Sequence, residues 1–340
     1  MLQFSDRNFA TDEAEDFSSR FALVHFGASS LCLDLKTGNF FELNATSALI
    51  CAALLDGNSI GEVERRLSSE FSISPLDARR DVSWAVNRLS AQFPARQEPR
   101  LQFERAAERW KMLWDNSPIL GFDLHSEEMF WLGSSAAATE IASWLRVAVP
   151  HLLIHRGHCV LHASSVLVEN ALIGFCGPSG SGKSTCARIL SEDGAVLVSE
   201  DLLVVRLEPV PEALLTGEAV LREWASKTAL ALGRGPSPAR LGELVEQIHG
   251  PTARLDRMIF LDQNRRRGNE IAVEQLSMTQ AAGAFLENGF GELGDRRVWR
   301  NLLRFSSGLA VQVPAFRGSV PAGIDPLRAA LRSYRASFTS

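Results

Sequence analysis

Nine consecutive residues, Gly177-Pro178-Ser179-Gly180-Ser181-Gly182-Lys183-Ser184-Thr185, constrain the fold of this chain more than any other feature. The apolar run Ala171–Cys176 before them suits a buried strand, and Cys186-Ala187-Arg188-Ile189-Leu190 after them continues as a helix. Strand, glycine-rich loop and helix, in that order, are the setting in which a phosphate-binding loop works. Glycines let successive backbone N–H groups curl around phosphate oxygens, and the helix N-terminus adds a partial positive charge. In such a loop the Lys183 ammonium neutralises the β- and γ-phosphates of a nucleotide, and the Ser184 hydroxyl ligates Mg²⁺. A loop of this kind does not read the base, and no adenine-specific segment is visible elsewhere.

Downstream, Ala195–Val198 reads as a second buried-type strand that ends at Ser199-Glu200-Asp201. Carboxylates at the C-terminal end of a strand lie on the ligand-binding edge of an α/β sheet. One of them is placed to hold Mg²⁺ and its neighbour to orient or deprotonate an acceptor hydroxyl; the alternative is a solvated acidic turn. Upstream, His162 stands among the strand-like residues Val160–Val168, either as a satisfied core or edge histidine or as part of the same site.

The 340 residues suggest two domains, and 46% hydrophobic with 22% charged residues is enough to fill a sizeable core. A net charge of −5 argues against nucleic acid or an anionic membrane as a general partner. The run Arg265-Arg266-Arg267 reads as a solvated turn or a local basic patch. Five scattered cysteines without zinc spacing fit a reduced, cytoplasmic compartment. Residues Met1–Arg20 carry Asp6, Asp12, Glu13, Glu15 and Asp16, the wrong charge for a signal peptide, and no apolar stretch has membrane-spanning length.

Residues 21–92 read as a unit of their own. Strands over Phe21–Phe26, Ser30–Leu35 and Asn39–Leu43 precede three helices. Asn44 or Thr46 caps the first helix, Ser59 and Glu62 form a capping-box spacing for the second, and Ser74-Pro75 opens the third. The stretch 93–100 holds two prolines and no periodicity, and is the best linker candidate. Residues 101–145 are mixed and hard to read, apart from a helix over Ala136–Val149 with Ile141, Leu145 and Val149 spaced for burial. Arg254–Leu261 reads as a further strand. The bases Arg222 and Lys227, in an amphipathic stretch, and Arg317 either approach a phosphate or cover the surface.

His162, the loop from Gly177, Lys183-Ser184 and then Glu200-Asp201 resemble the core of HPr serine kinase/phosphorylase, and more closely the HPr-kinase-like proteins found beside peptide-modification enzymes. The resemblance spans about Leu161 to Val205. It implies a P-loop fold of HPr kinase type and phosphoryl transfer from ATP to a hydroxyl. Lys183 and Ser184 would bind phosphate and Mg²⁺, Asp201 would lie near the metal, Glu200 would stand where the family has its catalytic aspartate, and His162 would sit beside Glu200. Glutamate at that position is a departure, since it reaches one methylene further. The glycine- and arginine-containing signature of phosphorylase activity has no good copy here, which argues against HPr as substrate.

Asn39 to Ile50, with Leu54-Leu55-Asp56-Gly57, resemble PqqD, a small leader-peptide recognition domain. The resemblance implies that a precursor peptide adds as a strand beside 39–43 and packs on the helix at 81–89; the alternative is a winged-helix-like accessory domain without a peptide. The expected architecture is therefore α/β, with a small α+β winged-helix-like PqqD domain (21–92) before an HPr-kinase-type P-loop domain (101–340). The expected function is ATP- and Mg²⁺-dependent phosphorylation of a peptide hydroxyl. The alternatives are a nucleotide-binding scaffold that presents the peptide to a partner enzyme, or a different ATP-dependent modification. Modification enzymes and a second copy of the chain are further candidate partners.

Overall fold

The computed structural model describes residues 17, 19–27, 29–35, 38–90, 101–106, 109–123, 125–133, 137–233, 239–240, 244, 250–262, 270–290 and 296–335. The acidic N-terminal run, the proposed linker over 93–100 and Arg265-Arg266-Arg267 lie outside the described residues. The chain divides into two compact units, Met1–Pro99 with Gly294–Leu303, and Arg100–Leu293 with Arg304–Ser340.

In the first unit, strands β1 (Phe21–Phe26), β2 (Ser29–Asp34) and β3 (Phe40–Leu43) form an antiparallel sheet with β2 in the centre. Their register pairs Phe21 with Asp34 and Leu33 with Phe40. Helices α1 (Ala45–Leu55), α2 (Ile60–Phe71) and α3 (Pro75–Ser90) follow, as the sequence predicts. Each starts for a local reason. The Asn44 side chain accepts from the Ser47 N–H at 2.9 Å. Ser59 and Glu62 exchange capping bonds, and the Ser74 hydroxyl accepts from the Asp77 N–H at 3.1 Å. Ser72, in the left-handed region at φ 53°, ends α2. The apolar faces meet in two clusters. Phe21, Cys32, Leu43, Ala48 and Cys51 join strands to α1, while Ile50, Val63, Leu67, Ala78, Val82 and Ala85 join the three helices. Burying one large side chain here contributes roughly 1.5–3 kcal/mol.

The second unit holds two sheets. Strands β4 (Leu101–Ala106), β5 (Arg109–Trp114), β6 (Ser117–Asp123), β7 (Glu128–Trp131) and the two-residue β13 (Ala239–Arg240) build an antiparallel sheet in the order β13-β7-β6-β5-β4. This is the stretch the sequence leaves unread. Its one sharp signal is Asp115-Asn116, both at positive φ (47° and 63°), the two-residue turn that a tight hairpin needs. Helix α4 (Ala138–Leu153) buries Ile141, Leu145 and Val149, the spacing read from the sequence.

The second sheet contains the phosphate loop. It is built from β8 (His158–Val168), β9 (Ala171–Cys176), β10 (Val196–Ser199), β11 (Leu202–Arg206), β12 (Glu212–Leu214), β14 (Thr252–Leu261), β15 (Ala272–Gln275) and β16 (Ala315–Ser319). The path runs β10-β8-β11-β12-β14-β16-β15, with β9 paired to both β8 and β14. The pairings β9–β14 and β14–β16 are parallel and the rest antiparallel, so the sheet is mixed. One expectation fails here. The run Ala195–Val198 is not a buried strand: β10 pairs with β8 alone among the described strands, and Val196 is 61% exposed. Apolar composition is compatible with an edge as well as a centre, and nothing local separates the two.

Helices α5 (Lys183–Glu192), α6 (Gly217–Leu232), α7 (Met278–Asn288), α8 (Arg296–Gln312) and α9 (Ile324–Tyr334), with a 3-10 turn at Ile154–Arg156, complete the described elements. One sheet face packs Val166, Ile173, Phe175, Ile259 and Leu261 against Cys186, Ile189 and Leu190 of α5 and Leu327 and Leu331 of α9. This cluster fixes the strand–loop–helix turn on both sides. Among the described residues no helix is long and apolar enough to cross a membrane, and all five cysteines are buried and form no disulfide.

Candidate functional site

The loop between β9 and α5 gets its shape from three glycines at positive φ: Gly177 (140°), Gly180 (80°) and Gly182 (103°). Gly177 is the most confined. A side chain there would be driven into the Leu261 carbonyl oxygen and lie 3.0 Å from the Ser181 hydroxyl. Gly182 is the N-cap of α5, and its carbonyl accepts the first helical bond from the Cys186 N–H at 2.8 Å. Pro178, Ser179 and Gly180 form an exposed tip, Thr185 is half-buried in the first helical turn, and Ser184 is exposed.

Lys183 is 6% exposed and turns back into the loop, where its ammonium donates to the carbonyls of Gly177 at 2.7 Å and Pro178 at 3.3 Å. The Ser181 hydroxyl is fully buried and has no hydrogen-bond partner, an orphaned polar atom inside the curl. The Gly177 N–H donates to the Asn288 side-chain oxygen at 3.2 Å, and the Asn288 amide donates to the Ala284 carbonyl at 2.8 Å. The C-terminal end of α7 therefore fixes the first residue of the loop.

The acidic pair occupies the break between β10 and β11. The Ala163 N–H donates to the Asp201 carbonyl at 3.1 Å, which ties the break to β8. His162, on β8, places its Nε2 2.9 Å from Asp201 Oδ1. This corrects the sequence expectation that His162 sits beside Glu200. Leu202 pairs with His162, so strict alternation would put Glu200 on the imidazole's face; Glu200 and Asp201 instead form a bend outside β11, and the bend turns Asp201 to the imidazole. The Glu200 carboxylate instead faces Arg222, whose Nη2 is 3.4 Å from it.

Ser184 belongs to both halves of the site. Its hydroxyl donates to the Glu200 carbonyl at 3.3 Å, and the Ser164 hydroxyl reaches the same carbonyl at 2.5 Å and Ser184 Oγ at 3.3 Å. The loop serine, the acidic turn and strand β8 thus share one hydrogen-bond cluster. Behind the turn lies Glu218, 6% exposed, which accepts from the backbone N–H groups of Glu200 (2.6 Å) and Asp201 (3.4 Å) and from Arg222 (2.6 Å). The bond to Glu218 holds the Arg222 guanidinium above its usual pKa.

Several buried groups of the second unit are held neutral. Burial pushes the Cys159 thiol up to about 12 and raises that of Cys176 as well, so neither is a nucleophile at neutral pH. His151 packs between the Phe103 and Phe290 rings, with centroids 5.0 and 5.4 Å away, and burial lowers its pKa to about 4. Among the described residues no group of three or more His, Cys, Asp or Glu stands ready to hold a metal on its own. The Ser184 hydroxyl and the Asp201 carboxylate are oxygen donors of the kind Mg²⁺ takes, and such an ion needs few protein ligands when it is shared with a phosphate.

In the first unit, β3 lies at the sheet edge against α1, and α3 packs on α1 and α2. On α3, Val82 and Ala85 are buried while Trp84 is 55% exposed. The two segments read as peptide-binding thus share α1 as a neighbour. Residues 30–93 match the family described as Coenzyme PQQ synthesis protein D (PqqD). The first unit carries a PqqD domain. A dephospho-CoA kinase from Symbiobacterium thermophilum is 32% identical over 120 residues, covering 33% of this chain and half the length of that relative. The solved HPr(Ser) kinase/phosphatase from Coxiella burnetii aligns with 53% of this chain and 99% of its own at 12% identity, with a TM-score of 0.26, too low to bear on the site.

Three residues of the site escape the sequence reading: Asn288, Glu218 and Ser164 in its bonding role. Glu218 carried one signal, an acidic residue in the first turn of a helix after Thr216-Gly217. Asn288 carried none.

Proposed function

We propose that this chain is an ATP-dependent phosphotransferase that acts on a hydroxyl of a precursor peptide captured by its PqqD domain, in a reduced cytoplasmic compartment. The observation that carries the reading is the cluster in which Ser184, at the head of the phosphate-loop helix, shares the Glu200 carbonyl with the acidic turn. A glycine loop alone binds nucleotide. A loop bonded directly to a carboxylate turn has a phosphate site and an acceptor site side by side.

In this reading the loop N–H groups of 177–185 and the α5 N-terminus hold the triphosphate, and Lys183 exchanges the Gly177 and Pro178 carbonyls for β- and γ-phosphate oxygens. Ser184 and Asp201 hold Mg²⁺, which supplies charge neutralisation of the phosphates. His162 fixes the Asp201 carboxylate by the bond at 2.9 Å. Glu200 orients the acceptor hydroxyl and takes its proton while the acceptor oxygen bonds to the γ-phosphorus, the β–γ bridging bond breaks and ADP leaves. Most of the rate enhancement comes from positioning and electrostatics. On the PqqD side, the β3 edge around 39–43 offers main-chain hydrogen bonds to an extended peptide, and Trp84 on the 81–89 helix offers an apolar anchor.

The test is to incubate the protein with Mg-ATP and its precursor peptide, and to follow peptide mass and nucleotide products together. One added phosphoryl group with stoichiometric ADP, both lost in Lys183→Ala, is the expected result. ATP binding without transfer to any peptide would instead favour a scaffold that presents the peptide to another enzyme, a reading that glutamate at position 200 makes concrete. Release of AMP would point to a different modification.

A further inference from the structure

We propose that Glu218 is a positioning residue of this site, setting the place of the Asp201 carboxylate through the backbone of the 200–201 turn. The proposal rests on the reading that this turn is the metal-side edge of a phosphoryl-transfer site.

The backbone of Glu200, between β10 and β11, is clamped from two sides. On one side the Glu200 carbonyl accepts from Ser164 at 2.5 Å and from Ser184 at 3.3 Å. On the other, Glu218 Oε2 accepts from the Glu200 N–H at 2.6 Å and, more weakly, the Asp201 N–H at 3.4 Å. The second oxygen, Oε1, is taken by Arg222, with Nη2 at 2.6 Å and Nε at 3.1 Å. One carboxylate oxygen thus serves the turn, and the other is held by a cation one helical turn along. A carboxylate buried to 6% exposure without such partners is costly; here every contact is charge-assisted.

The sequence arranges this approach locally. Glu218 is in the first turn of α6, where the helix dipole favours an acid. Gly217 before it lets the helix start close to β11: a Cβ there would lie 3.0 Å from Val204 side-chain carbons. A turn that only needed its N–H groups capped would be served by a neutral acceptor. Glu218 adds negative charge directly behind Asp201, in the half of the site where a divalent cation would be held, and Arg222 keeps that carboxylate in one rotamer.

Glu218 therefore contributes to metal-dependent binding rather than to nucleotide binding as such. The experiment measures ATP affinity by titration calorimetry with and without Mg²⁺ for wild type, Glu218→Ala, Glu218→Gln and Lys183→Ala, with amide exchange at 200–201 as a check on the turn. Glu218→Ala should keep metal-free ATP affinity within about twofold of wild type while losing most of the Mg²⁺ enhancement, about tenfold or more. Glu218→Gln, which still offers an oxygen to the turn, should restore amide protection fully and the Mg²⁺ enhancement only in part. Wild-type Mg²⁺ enhancement in Glu218→Ala would overturn the assignment. Equal loss of metal-free and metal-bound affinity in both variants would also overturn it, since Glu218 would then merely support the fold. Lys183→Ala tests the underlying reading separately: it should lose affinity under both conditions. A wild-type protein that binds no ATP would remove that reading and this assignment with it.

Discussion

The PqqD domain and the phosphate-loop region are held in place by different means. In the PqqD domain the organising contacts are apolar: two clusters of small and branched side chains join strands to helices, and polar groups appear mainly as caps at helix starts. Around the phosphate loop the apolar cluster only seats the strand and helix. The geometry that matters there comes from a chain of hydrogen bonds through Ser164, Ser184, Glu200, Glu218 and Arg222. A core fixed by volume tolerates substitution gradually, whereas a polar network fails at single atoms.

That contrast can be broken by experiment. The largest effect expected is on nucleotide binding. Lys183→Ala removes the ammonium, and ATP affinity should fall on the order of a hundredfold while the denaturant midpoint of the PqqD domain stays put. If both change, the two regions are not independent. Leu67→Ala is the converse. This side chain is fully buried among the PqqD helices, and its loss should destabilise that domain by about 2–5 kcal/mol in urea unfolding while ATP titration is unchanged.

A smaller effect should depend on pH. His151 is buried, and its folded pKa of about 4 lies below the ordinary 6.5. Between those values the unfolded chain binds a proton that the folded chain does not. Stability should therefore fall as pH is lowered through that window, by up to about 1.4 kcal/mol per pH unit from this group. His151→Leu should flatten the slope in thermal unfolding of the second unit; an unchanged slope would show that other groups carry it. The smallest effect is at a cap: Asn44→Ala removes the acceptor for the Ser47 N–H and should cost about 1 kcal/mol of PqqD stability with no change in ATP affinity.

The same contrast explains what is legible in the sequence. The phosphate loop can be read because its requirements are local: glycines where φ is positive, lysine and serine at the helix start. The PqqD elements can be read because caps and apolar periodicity are local too, and Ile141, Leu145 and Val149 are buried as their spacing predicts. Residues fixed by tertiary placement are not legible. Asn288 meets Gly177 across 111 positions with no local signal, and Glu218 meets Glu200 across 18, its place in a first helical turn announcing an acid but not its partner. The pairing of His162 with Asp201 rather than Glu200 depends on the bend at 200–201 that interrupts strand alternation between β10 and β11, which a linear pattern does not specify. The sheet over residues 101–131 was obscured by short strands of mixed composition, although Asp115-Asn116 marked one of its turns.

The lysine folded back into its own loop has a further consequence. Its ammonium is already satisfied by the Gly177 and Pro178 carbonyls, so the proposed site is closer to a threshold than to an open socket. An arriving anion has to outcompete two carbonyl dipoles before it gains the lysine. A singly charged group returns little for that exchange, and a triphosphate with several oxygens in reach returns much more. Discrimination by phosphate number, steep in ionic strength and indifferent to the base, would then arise with no residue assigned to count phosphates.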